Sequence, residues 1–247
     1  MEEILKVRNI SKKYPGFVLD NISFDIKKGS IMGLIGRNGA GKSTTIKAIL
    51  NLIHRDSGTI SYFGMDFLEN EAEIKKRIGY AGGAVDYYKK KKIKKIMNVT
   101  RSFYENWNED AYSRYMKLFE LDENKTPGEL SEGMKVKLNL AAALSHNAEL
   151  IILDEPTSGL DPVSRDELLE IFGYLASEGT SILFSTHITS DLEKCADSLT
   201  YIRSGKLEST GNMEELLENW KIAGRGETLE EVMINFEREA LREKFAE

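Results

Sequence analysis

The sequence predicts an α/β fold: a mixed, mainly parallel sheet with antiparallel strands at its amino-terminal end and a helical subdomain set into it. Three observations carry that prediction. From about residue 148, short apolar runs alternate with helix-length segments, the pattern of strand–helix–strand units around a parallel sheet. Residues 4–28 instead alternate apolar and polar side chains in short runs, "ILKVRNI" and "FVLDNISFDI", with turns at Pro15-Gly16 and Lys28-Gly29, as antiparallel strands do. From about residue 83 to 147 the apolar spacing is helical.

In chain order, "SIMGLIG" (30–36) is a nearly continuous apolar run bounded by glycine, the mark of a buried strand. A helix from about Lys42 to Leu52 follows, then a turn at Asp56-Ser57-Gly58 and a strand pair around "GTISYFG". In the middle block Ile93, Ile96, Met97, Thr100, Phe103, Tyr104 and Trp107 recur at helical spacing, and Asp110 is placed to cap a second helix carrying Tyr115, Met116, Phe119 and Leu121. "LSEGM" (130–134) opens a further helix, with Ser131 as a natural N-cap. "AELIILDEP" then reads as a buried strand, "DPVSRDELLEIFGYLASEG" as a helix, "TSILFSTH" as a strand and "ITSDLEKCAD" as a helix. "SLTYIRSGKLESTG" reads as a hairpin, and the tail from Met213 is acidic and helical in pattern. The expected organisation is one domain over 1–247, with a core from 1–82 and 148–247, a helical subdomain at 83–147 and a helical tail at 213–247.

At 247 residues, with 41% apolar and 30% charged, the chain has enough apolar content for a full core. A net charge of −6 argues against a general nucleic-acid binder. The single cysteine, Cys195, excludes an internal disulfide, and its helical context reads as a packed thiol. No run approaches the roughly 18 apolar residues that span a bilayer, and Met1–Glu3 does not open a signal peptide. The expectation is a cytoplasmic protein that meets any membrane from outside.

"GRNGAGKST" (36–44) fits the phosphate-binding pattern G-x-x-x-x-G-K-S/T, following one predicted strand and opening one predicted helix. Glycines let such a loop curl until successive N–H groups point inward at an anion, and the helix terminus adds to the field. Asn38, Gly39, Ala40, Gly41, Lys42, Ser43 and Thr44 are therefore the candidate nucleotide contacts, with Lys42 for the β- and γ-phosphates and Ser43 for Mg²⁺. Asp154 ends the buried run "LIILD" at a strand's carboxyl end, where ligands of open α/β sheets bind, and is a candidate for holding Mg²⁺ through water. Glu155 beside it is the candidate general base for an attacking water, a role that contributes roughly 10²–10⁴ in rate. Taken alone, this acidic pair would serve equally to cap a helix. His187 ends "SILFSTH" on the same side of the sheet and is placed to contact a γ-phosphate. His54 and His146 sit in helix-end contexts with no expected chemistry.

Together these pieces resemble the ATP-binding subunits of ABC transporters over almost the whole chain. "GRNGAGKST" is similar to their Walker A, "LIILDEP" to their Walker B, "SGLD" (158–161, with Asp161) to their D-loop, and His187 to their switch histidine. Tyr14 stands where the family stacks an aromatic on adenine. The resemblance implies a P-loop NTPase core binding ATP and Mg²⁺, with Glu155 and His187 catalytic. It makes "LSEGM" the signature segment, whose Ser131 and Gly133 would face ATP held by a second ATP-binding subunit, identical or paralogous. Since this chain has no spanning segment, the resemblance further implies a separate membrane permease, attachment to the membrane's cytoplasmic face, and no nucleic-acid partner.

Departures are visible. Glu132 and Met134 replace the usual glycine and glutamine of the signature. In "IGYAGGAVDYY" (78–88) Gly83 stands where the family has a glutamine touching Mg²⁺ and water, so that contact is absent or falls to another group such as Asp86. "KKKKIKK" (89–95) is placed to meet an acidic coupling helix or anionic lipid, or is simply a solvated helix face. "LEEVMINF" and "FYENW…KLFEL" resemble ABC-2 exporters of the Firmicute peptide and antibiotic type, including those for phenol-soluble modulins. The alternative is a soluble ABC ATPase of translation or DNA repair. Those carry two cassettes or a long coiled-coil insertion, and this chain has neither.

Overall fold

Alternation builds two long strands first, β1 (Glu3–Tyr14) and β2 (Phe17–Lys27), antiparallel across the Pro15-Gly16 turn. The structure is a computed structural model that describes residues 2–82, 88 and 90–246. The apolar run gives β3 (Ile31–Ile35), fully buried, and α1 (Lys42–Ile49) follows the glycine-rich loop. Then come β4 (Ser57–Tyr62), β5 (Met65–Asp66), a short α2 (Glu71–Lys76) and β6 (Ile78–Gly82). The middle block holds α3 (Ile93–Arg101), α4 (Glu109–Leu118) and α5 (Glu132–Ser145). The remainder is β7 (Leu150–Asp154), α6 (Pro162–Ser177), β8 (Ser181–Thr186), α7 (Thr189–Cys195), β9 (Ser198–Arg203), β10 (Lys206–Asn212), α8 (Met213–Ile222) and α9 (Leu229–Ala246).

Among the described residues the strands form one sheet in the order β5-β4-β1-β2-β10-β9-β3-β8-β7-β6. β9, β3, β8, β7 and β6 run parallel, while β1 pairs antiparallel with β2 and β4. The strand period of two splits the core: β3 sends Ile31 and Ile35 into one layer, and Met32 and Leu34 into the other. The first layer is closed by α3 to α9, and the second by α1, α2 and the antiparallel strands. Because β3, β7 and β8 are parallel, the loops after them emerge on one rim, and that rim is the site.

The middle block differs from expectation in two places. α3 stops at Arg101 rather than running on to Trp107; Ile93, Ile96 and Met97 are buried, whereas Phe103 is 74% exposed. Beyond Arg101 the chain turns, with Phe103 N–H donating to Thr100 and Tyr104 N–H to Arg101, and Tyr104 stacks on His146 with centroids 3.9 Å apart. Tertiary stacking thus takes aromatics whose spacing would also suit one longer helix. The cap of α4 is Asn108, whose side chain accepts from Ala111 N–H at 3.0 Å, rather than Asp110. Asp110 lies in the first turn, where a carboxylate suits the positive helix end. α1 also ends three residues earlier than expected, at Ile49, and α2 carried no clear sequence signal. Gly83, Asp86 and Lys89 lie outside the described residues. Lys90, Lys91, Lys92, Lys94 and Lys95 are exposed at and just before the start of α3, with Lys94 paired to Glu123 at 3.1 Å.

Candidate active site

The glycine-rich loop is locked by close approach before any ligand is considered. A side chain at Gly36 would come within 2.2 Å of the Ile202 carbonyl oxygen, so β3 can leave the sheet there only as glycine. Gly41, at φ +118°, turns the chain into α1. Ala40 is buried as an anchor, its carbonyl accepting from Gly205 N–H at 2.8 Å. Lys42, the first residue of α1, is only 5% exposed. Its Nζ donates to the Gly36 and Arg37 carbonyls at 2.7 and 3.3 Å and pairs with Glu155 Oε1 at 3.0 Å.

β7 and β8 bring the rest. Asp154 Oδ1 accepts from Ser43 Oγ at 3.1 Å and from Ser185 Oγ at 2.6 Å. Ser185 Oγ in turn accepts from Glu155 N–H at 2.9 Å. His187 Nδ1 lies 2.8 Å from Glu155 Oε2; a carboxylate can only accept, so the proton is on the imidazole. One carboxylate therefore spans the phosphate-loop lysine and the strand-end histidine. Beside it opens a recess of roughly 460 Å³, lined by Phe17, Arg37, Asn38, Gly39, Gly41, Lys42, Ser43, Thr44 and Glu155. The hydroxyl and carboxylate oxygens of Ser43 and Asp154, already converging, are the donor set a hard cation such as Mg²⁺ takes.

The other expected residues stand apart from this recess. Tyr14 pairs with Phe17 across the turn, with Lys12 Nζ 5.7 Å from its ring centroid, but it is Phe17 that lines the recess. Ser131 caps α5, its Oγ accepting from Met134 N–H at 3.2 Å. Gly133 is buried against Leu160, which a Cβ there would meet at 3.6 Å. Asp161 caps α6, accepting from Val163 and Ser164 N–H at 3.0 and 3.1 Å and from the Ser164 hydroxyl at 2.6 Å. Those bonds, the Ser164 hydroxyl foremost, hold its carboxyl below the usual range. A second recess joins the first turns of α5 (Glu132, Lys135, Val136) to Leu153–Pro156.

Three contributors escaped sequence reasoning. Phe17 reads as an ordinary strand residue. Ser185 is a hydroxyl inside a buried apolar strand, which was the available signal. Asp191, 1% exposed, accepts from Thr157 Oγ1 at 2.6 Å and ties the segment after Glu155 to α7, just beyond His187.

A phosphate cradle at the rim of a parallel sheet, with an Asp-Glu pair and a histidine on neighbouring strand ends, defines a P-loop nucleoside-triphosphate hydrolase. The ABC transporter family model matches residues 19–158, and the chain belongs to that family as an ATP-binding, ATP-hydrolysing subunit. It is 36% identical to the bacitracin transport ATP-binding protein of Bacillus licheniformis, over 84% of this chain and 69% of that one. It is 34% identical to the lantibiotic transport ATP-binding protein of Streptococcus pyogenes, over 87% of this chain and 96% of that one. A solved ATP-binding subunit of an ABC transporter superposes with a TM-score of 0.82 at 28% identity, covering 94% of this chain and 98% of that one. These similarities give no support to a soluble repair or translation factor. Among the described residues no helix is long and apolar enough to cross a membrane.

Proposed function

We propose that this subunit powers export of a peptide antibiotic or toxin through a separate membrane permease, from the membrane's cytoplasmic face. The names of the bacitracin and lantibiotic transport relatives support the cargo class. The observation that carries the ATPase mechanism is Glu155 held between Lys42 and His187, at 3.0 and 2.8 Å.

In this reading the Lys42–Glu155 pair is a resting contact. Loop N–H groups of residues 39–44 wrap the phosphates, and the polyphosphate takes Lys42 from Glu155. The freed carboxylate accepts the proton of the attacking water, while His187 donates to it and fixes its orientation. Ser43 and Asp154 would hold Mg²⁺, which when bound would supply charge neutralisation for the phosphates. Phe17, which lines the recess, offers its ring to the base, with Tyr14 behind it across the turn. Ser131, Gly133 and Asp161 serve a second copy's nucleotide, so the working unit is a dimer with two shared sites. The basic residues around Lys92 are the surface offered to the permease or its surrounding lipid. Glu155→Gln, which keeps shape and removes basicity, should lower phosphate release by about 10²-fold or more while ATP still binds. Unchanged release would remove Glu155 from the chemistry.

A further inference from the structure

The tail returns to the phosphate loop. Phe236 of α9 packs edge-on to Tyr201 of β9 with centroids 5.5 Å apart, its carbonyl accepts from Arg203 Nη1 at 3.2 Å, and Leu229 N–H donates to Glu193 at 2.7 Å. Seated this way, α9 brings Glu237 to Arg37, with Nη1 to Oε2 at 3.0 Å across 200 residues of sequence. Arg203 and Arg225, which lie over the Phe236 ring, are engaged elsewhere: Arg203 with Glu208 at 2.8 Å and Arg225 with Glu239 at 3.0 Å. Arg37 borders two recesses. One is the phosphate-loop recess; the other lies between α9 and the turn after β8, lined by His187, Thr189, Glu230, Met233 and Glu237 among others.

We propose that Glu237 is a positioning residue for nucleotide binding, drawing the Arg37 guanidinium toward α9 and away from the phosphates. This inference rests on the ATPase reading above. A free guanidinium at the rim of a phosphate cradle adds positive potential that attracts a triphosphate. Paired with Glu237 it adds almost none, and the phosphate oxygens must compete with a carboxylate for the same donors. Lys42, buried and held by two loop carbonyls and Glu155, lies inside the cradle rather than at its exposed rim. Arg37 is 67% exposed and Glu237 25%, so solvent screens the pair and the effect is one of tuning. The tail thereby sets the ATP concentration at which the subunit fills.

The test is a double-mutant cycle on the full chain with Glu237→Gln, Arg37→Gln and the double variant. ATP affinity is read by calorimetry in magnesium-free buffer, and KM and kcat by phosphate release with magnesium. Glu237→Gln should tighten ATP binding and lower KM by about two- to five-fold, leaving kcat unchanged, and the gain should shrink at high salt. In the Arg37→Gln background the same substitution should do nothing. Thermal unfolding of each variant confirms that α9 stays seated. Unchanged or weaker ATP binding in Glu237→Gln overturns the inference alone, as does a gain that persists without Arg37. A wild-type chain that binds no ATP overturns both the inference and the ATPase reading beneath it.

Discussion

Glu155 sits on a backbone that few side chains adopt: its φ is +53°, in the left-handed region. For a residue other than glycine this costs of order 1–3 kcal/mol, and surrounding contacts must hold it. Ser185 is the main one, accepting the Glu155 N–H while donating to Asp154. Ser185→Ala would leave that N–H without its acceptor inside the site, a loss of about 1–3 kcal/mol in stability. Turnover should fall roughly 10- to 100-fold through misplacement of Glu155, with KM for ATP little changed, because the phosphate loop is untouched. A Ser185→Ala enzyme with full kcat would show that the strained carboxylate is held by its ion pairs alone. The phosphate loop, Asp154, Glu155 and His187 were legible in the sequence because their chemistry is written in contiguous motifs. Ser185 and Phe17 were not, because their roles come from neighbours far along the chain: Ser185 is 31 residues from Asp154. Tyr14 and Phe17 show the limit well. The two aromatics bracket one turn, and only the fold decides which of them borders the recess.

Helix and strand types were readable wherever burial follows the local period, and boundaries were lost wherever tertiary contacts compete with it. The end of α3 is the clearest case, and the residue that stacks on its displaced aromatic is the cap of α5. His146 caps that helix, contacts the Lys76 carbonyl through Nδ1 at 3.1 Å, stacks on Tyr104, and its own carbonyl accepts from Asn106 at 2.7 Å. This one residue holds α5, the end of α2, and the turn after α3 together. Burial, the largest cause, pushes its imidazole below the ordinary value despite the Lys76 carbonyl pulling the other way. The unfolded chain therefore takes up a proton at about pH 6.5, while the folded chain resists until lower pH. The contribution of neutral His146 is complete above about pH 6.5 and is lost as pH falls from there through the folded-state value. Thermal melts should show the wild type losing stability over that window and His146→Gln losing less, though starting lower. Parallel melting curves for the two proteins across pH 7.5 to 5.5 would assign the acid sensitivity elsewhere.

At the scale of the whole molecule, the parallel strands put the phosphate cradle on the rim, and the start of α5, the other half of the site in the proposed reading, stays outside the lining around Lys42. Gly133 packs on Leu160, so the start of α5 and the 158–161 segment form one continuous surface, beside the recess that leads to Glu155. Ser131 and Asp161 hold their helix ends there without entering the lining around Lys42. A helix N-terminus with an exposed serine can receive an anion, but in this chain the anion's cradle belongs to another surface. The proposed dimer would resolve this: if two copies pair two-fold, each copy's loop meets its mate's α5. The arrangement makes a prediction that a single-chain site cannot imitate. Lys42→Ala should lack a working cradle and Ser131→Arg a working cap, so each alone should release almost no phosphate. Mixed in equal amounts, half of the dimers combine one of each. Every mixed dimer has one site with both lesions and one with neither, so about a quarter of all sites become whole. Phosphate release in the mixture should therefore rise to about a quarter of the wild-type rate and grow with protein concentration. If Ser131 served only to cap its own helix, at about 1 kcal/mol, Ser131→Arg would keep its own turnover and mixing would restore nothing.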